Sequence, residues 1–204
     1  PPKEYILPKE ATSTYYPAGE MGRIFTKYRC LSCHEVNGNG RKLADADLTW
    51  EGSKVKADWL ESYMKTPFAL KPILEERMPP LGLSDEEAHF VANYIKMVYR
   101  NDDIPEDIFD GAPPSTAVIQ EGRNLFFNRY GCQACHMIEG SGGFIGPSLD
   151  NAPPRLNSGW VFRWLQNPQA MKPGVREPNF EMPDTDAKAL TAYVLYHSTK
   201  GGGQ

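Results

Sequence analysis

The sequence predicts an all-α chain built as two tandem helical domains, and three observations carry that prediction. The pentapeptide Cys30-Leu31-Ser32-Cys33-His34 recurs as Cys132-Gln133-Ala134-Cys135-His136, and the two copies use all four cysteines. Residues around the two copies repeat in one order, so a whole unit is duplicated and not only a motif. Helical periodicity and capping signals recur through both halves, whereas strand signals are scarce.

The repeat falls into segments. Phe25 and Tyr28 meet Phe127 and Tyr130 at an offset of 102 residues. At an offset of 101, Trp59, Pro67, Ala69, Lys71 and Pro72 meet Trp160, Pro168, Ala170, Lys172 and Pro173. Further on, Met78-Pro79 is laid on Met182-Pro183, and Tyr94 on Tyr193. Small changes of offset are loop insertions, which repeats tolerate. The 204 residues then divide into an extended N-terminal arm over 1–17, a first domain over 18–100, an acidic, proline-rich linker over 101–117, a second domain over 118–199 and a flexible tail over 200–204.

Each element has a local reason. Helices over 18–28 and 119–130 lead into the two motifs. Middle helices over 56–65 and 159–166 end before a proline. Ser84, followed by Glu87, is a capping box that opens a final helix through Tyr99. Asp184-Thr185-Asp186 opens its counterpart through His197. Phe25, Phe127, Tyr94 and Tyr193 are expected where the first and last helices of each copy cross.

C-x-x-C-H is the attachment signature of a covalent c-type haem. Each thiol adds across a vinyl group and the adjacent histidine binds the iron. A redox dithiol would want one motif beside a βαβ pattern, and a zinc site would want its cysteine pairs about 15–20 residues apart. Here 98 residues lie between Cys33 and Cys132, and neither rival requires the histidine. The sequence therefore points to two haem c groups. Cys30, Cys33, Cys132 and Cys135 are the thioether residues, leaving no thiol for a disulfide, and His34 and His136 are the iron ligands.

Methionine is the usual sixth ligand in electron-transfer c-type haems and raises the reduction potential. Of seven methionines, only Met78 and Met182 correspond in this register, 44 and 46 residues after their histidines and each before a proline. Met21, Met64, Met97 and Met171 fall on Arg123, Leu165, Tyr196 and Leu70, while Met137 adjoins its own motif. Met78 and Met182 are the expected distal ligands. Trp59 and Trp160 are expected near the haem edges. His89 and His197 read as surface or capping residues.

A formal net charge of −4, before any haem carboxylate is counted, argues against nucleic acid as a partner. No run of 18 apolar residues is available to span a membrane. No signal peptide is visible, and the Pro1-Pro2 start reads as a processed protein or a piece cut from an anchored one.

From about residue 18 to residue 199 these features resemble class I c-type cytochromes, and the pair of units resembles dihaem cytochromes c. In the second copy, Gly146-Pro147-Ser148-Leu149 stands where such cytochromes place a turn whose proline carbonyl accepts the proximal histidine's Nδ1–H. The first copy has Ala44-Asp45-Ala46-Asp47-Leu48 there and no proline. The run over 160–173 is also similar to cytochrome domains attached to membrane respiratory complexes. The resemblance implies two six-coordinate His/Met haems that pass single electrons between redox proteins or to a membrane respiratory complex. It implies a periplasmic or other extracytoplasmic location, and a carrier rather than an enzyme. The alternative is a dihaem enzyme such as a cytochrome c peroxidase, which needs an iron with an open position.

Overall fold

A computed structural model of the chain describes residues 17–41, 47–70 and 78–197. Most of the expected arm, the 200–204 tail, and Lys71 and Pro72 of the repeat lie outside the described residues. The chain forms two compact helical units, the first over 17–68 and 78–101, the second over 69–70 and 102–197.

In the first unit, helix α1 (Gly19–Tyr28) buries Met21, Ile24 and Phe25 on one face. It stops where Arg29 turns left-handed (φ 55°) and its N–H caps the carbonyls of Phe25 and Thr26. A tight 3₁₀ turn, Cys30–Ser32, carries the motif into a hairpin of β1 (Glu35–Val36) and β2 (Asn39–Gly40). Asn37 and Gly38 are both left-handed, at φ 49° and 75°, as the type I′ hairpin turn requires. Helices α2 (Glu51–Lys54), α3 (Ala57–Lys65) and α4 (Asp85–Val98) complete the unit. Gly52 brings α2 against α4 so closely that a Cβ there would lie 2.2 Å from the Ile95 carbonyl oxygen.

The second unit repeats this plan with α5 (Thr116–Asn124), β3 (Met137–Ile138), β4 (Ser141–Gly142), α6 (Ala152–Arg155), α7 (Ser158–Gln166), α8 (Pro168–Met171) and α9 (Asp184–Tyr196). Glu139 and Gly140 make the same left-handed pair (φ 53° and 72°) at the hairpin tip. Helix α5 crosses α9 at Gly122, where a Cβ would stand 2.0 Å from the Ala189 carbonyl oxygen. Leu125, Phe126, Ile138, Leu190 and Tyr193 fill the core beneath that crossing.

Three features depart from the sequence expectations. The hairpins and the one-turn helices α2 and α6 are additional elements, too short to show a period. Helix α5 loosens into a π turn over Leu125–Arg129, which turns Phe126 fully into the core. Phe126 and Phe127 both meet Tyr193, with ring centroids 5.5 and 6.3 Å away. In the first unit Phe25 reaches Tyr99 (6.4 Å), and Tyr94 meets the same ring edge-on (5.5 Å).

The third feature is the segment expected as a linker, which packs as a strap on the second unit from Asp102 onward. Ile104 and Phe109 are buried, and Phe109 sets its ring against Tyr196 at 5.7 Å. Asp107 accepts from the Phe109 and Gly111 N–H groups and from the Ser158 hydroxyl, while the Ser158 Oγ accepts from Ile108 N–H. Two apolar anchors and one hydrogen-bonded carboxylate thus outweigh an acidic, proline-rich composition.

Candidate haem sites

Both C-x-x-C-H motifs adopt one geometry. A left-handed residue, Arg29 (φ 55°) or Gly131 (φ 65°), precedes each first cysteine. The histidine N–H then donates back to that cysteine's carbonyl, at 2.9 Å in the first unit and 3.0 Å in the second. The second cysteine N–H donates to the same carbonyl at 3.2 Å in each. Both thiols and the imidazole therefore sit on a single turn. All four thiols are free of disulfides, as a thioether role requires. Burial pushes Cys30 up to about 11 and, helped by the nearby Glu177 carboxylate, Cys132 up to about 12.

The hairpin after each motif closes under the histidine backbone. Gly40 (φ 105°) and Gly142 (φ 119°) approach so closely that a Cβ on either would lie 2.2 Å from the carbonyl oxygen of His34 or His136. Only glycine satisfies both the space and the dihedral. These two positions were not singled out from the sequence, although their common spacing of six residues after each histidine marks them.

Around His136 the ring is held by the carbonyl of Pro147. The Pro147 carbonyl lies 2.9 Å from Nδ1, so Nδ1 carries the proton and donates it. Nε2 is thereby left as the ring nitrogen able to bind a metal. Gly146 packs flat on the ring, and a Cβ there would stand 2.4 Å from Cε1. Burial pulls His136 down, but the Glu177 carboxylate and the Pro147 carbonyl outweigh it and leave the imidazole above its ordinary value. The counterpart carbonyl for His34 falls within 44–46, outside the described residues. The flanking frame is shared: Leu48 N–H donates to Glu35 O, and Leu149 N–H to Met137 O, both at 2.8 Å.

On the other side of the His136 ring stands Glu177, its Oε2 3.3 Å from Nε2. Gln169 holds that loop by donating to the Glu177 carbonyl at 2.6 Å. Glu177 did not emerge from the sequence register. Met182 is buried to 7 % exposure among Leu125, Phe126, Ile138, Leu190 and Tyr193. Met78 is half-buried ahead of α4.

The two tryptophans occupy equivalent places. Trp59 stacks on Tyr63 (centroids 4.9 Å, 16° between planes) and Trp160 on Trp164 (6.5 Å, 21°), each pair one turn apart on α3 or α7. His89 is on the surface with Nδ1 2.9 Å from Glu61. His197 is buried and caps the end of α9 through the Val194 carbonyl, 3.0 Å from its Nδ1.

A repeated clasp ties the first helix region to the last helix. Tyr28 donates to Glu87 at 2.6 Å and Tyr130 to Asp186 at 2.7 Å. Lys27 pairs with the same Glu87 at 2.8 Å, and Arg129 with the same Asp186 at 3.0 Å.

The donor set fits a covalent haem: two thiols on one turn beside an imidazole in each unit, with the His136 ring locked so that Nε2 is left to bind. Comparisons with curated proteins and with solved structures return no match. The family model described as Cytochrome c matches residues 21–98 and again 119–198. The chain therefore belongs to the cytochrome c family, whose domains hold covalently attached haem c and transfer electrons through it.

Proposed function

We propose that the chain carries two haem c groups, one in each unit, and relays single electrons between redox proteins outside the cytoplasm, free or docked on a membrane respiratory complex. The observation that supports this best is the duplicated turn, in which a C-x-x-C-H motif is shaped identically by a left-handed residue before it and a close-packed glycine after it. Haem supplies an iron that alternates between ferrous and ferric states without leaving its site.

The protein's part is to hold and tune. Cys30 and Cys33, and Cys132 and Cys135, fix the cofactor covalently, so it stays bound in both oxidation states. His34 and His136 offer Nε2. At His136 the Pro147 carbonyl fixes the Nδ1 proton, which orients the ring and raises its basicity. The fully buried Val36 and Ile138, just beyond each histidine, keep water from the proximal turn. Met78 would offer its thioether to the haem iron of the first unit. The stacked pairs Trp59–Tyr63 and Trp160–Trp164 offer flat aromatic cover at the haem edges. Unequal surroundings give two unequal potentials.

Intact-mass measurement of the secreted protein tests the reading. Two haem adducts are expected. Replacing Cys30 and Cys33 by alanine removes one, and replacing Cys132 and Cys135 removes the other. A single adduct in the unaltered protein sinks the proposal. Turnover of hydrogen peroxide by the reduced protein would instead favour the dihaem peroxidase reading, which needs an iron with an open position.

A further inference from the structure

We propose that Glu177, not Met182, faces the second iron from the distal side, so that the second haem pairs a histidine with a carboxylate where the first pairs a histidine with a methionine. The inference rests on the two-haem reading above and assigns a ligand within it.

Register is the first ground. The final helices α4 and α9 begin at Asp85 and Asp184, an offset of 99 residues. Three structural features share that offset. Glu87 and Asp186 hold the two tyrosine clasps. Ala88 and Ala187 are both fully buried under their helices. Gly82 (φ 71°) and Glu181 (φ 50°) are both left-handed in the loop before the helix. A left-handed glutamate is uncommon, and its place opposite Gly82 shows that the two loops follow one path. Carried back along this path, Met78 meets Glu177, and Met182 meets Leu83. The neighbours agree, since Arg77-Met78-Pro79 is set against Arg176-Glu177-Pro178. Matching Met-Pro with Met-Pro instead requires an offset of 104 that none of these features shares.

Position is the second ground. Glu177 Oε2 stands 3.3 Å from His136 Nε2, the nitrogen left for iron once Pro147 has taken Nδ1. The carboxylate therefore stands on the Nε2 side of the ring, and the loop bearing it is pinned by Gln169. Met182 belongs to the buried apolar cluster that also holds Phe126 and Tyr193.

An anionic oxygen ligand stabilises ferric iron relative to a neutral thioether, so the second haem has the lower potential of the two. Near-infrared absorption of the ferric holoprotein tests the assignment through its methionine–iron charge-transfer band. The expected intensity corresponds to one methionine-ligated haem per two haems. Met78→Leu abolishes the band. Met182→Leu leaves the band and both midpoint potentials unchanged. Glu177→Met doubles the band and raises the lower potential, and Glu177→Gln alters the second haem's spectrum while mass still counts two adducts. A band worth two methionines in the unaltered protein, or one halved by Met182→Leu, overturns the assignment and leaves the two-haem reading standing. Fewer than two haem adducts overturns both.

Discussion

Gly146 shows how a single hydrogen atom decides the geometry of a ligand. Its α-carbon lies so near His136 that an added methyl would reach 2.4 Å from Cε1, so Gly146→Ala must push the imidazole off the Pro147 carbonyl. Overpacking of this kind costs about 1–3 kcal/mol. The expected outcome is a lower thermal midpoint and a changed second-haem spectrum, measured by absorbance melting. Glu87 offers a prediction in pH. Lys27, Tyr28 and the Ser84 N–H hold its carboxyl at about 2, against an ordinary value of 4.5. A depressed carboxyl stabilises the fold fully above the unfolded value and loses that contribution as pH falls toward the folded one. The stability gap between the native protein and Glu87→Gln is therefore widest above about pH 5, shrinks from there to about pH 2 and closes below it. Acid titrations of both proteins followed by circular dichroism check this. At this scale the cysteines and histidines were legible because covalent chemistry fixes their spacing. The Gly146-Pro147 turn was readable through the family resemblance, but the press of Gly146 on the His136 ring and the approach of Glu177 to Nε2 were not, because adjacency in space leaves no local pattern.

Helices α4 and α5 each begin at a serine whose side chain satisfies a first-turn N–H group. Ser84 and Glu87 form a reciprocal capping box at 3.2 Å in each direction, and the Ser115 hydroxyl accepts from Val118 N–H. Ser84→Ala and Ser115→Ala should each cost about 1 kcal/mol in urea denaturation. Gly122→Ala should cost about 1–3 kcal/mol, because its Cβ would enter the Ala189 carbonyl and force α5 away from α9. The Ser84 box was readable because it is a local pattern with a mechanism. The two-residue strands were not, since alternation needs more length than they have, though Asn37-Gly38 is a hairpin signal. The π turn misled the register for a related reason. It adds residues between helix and motif, so Phe126 takes the buried place that counting back from the cysteines gives to Phe127.

Across the molecule, the duplicated plan was legible and the boundary between its copies was not. Composition made 101–117 a linker, whereas contacts give 102–115 to the second unit. The deciding residues are Ile104 and Phe109, two apolar side chains that a charge count dilutes. Ile104→Ala should destabilise the second unit by about 2–5 kcal/mol. A fragment starting at Asp102 should outlast heating better than one starting at Val118, as differential scanning calorimetry of the haem-loaded fragments would register. The hairpins beneath His34 and His136 belong to a different order of events. They join residues only a few positions apart, and closures that short are sampled within about 1–10 μs. A polypeptide that has only begun to pack can thus visit this mould briefly, and porphyrin caught between its sulfurs would hold the shape while the rest of either half closes around it.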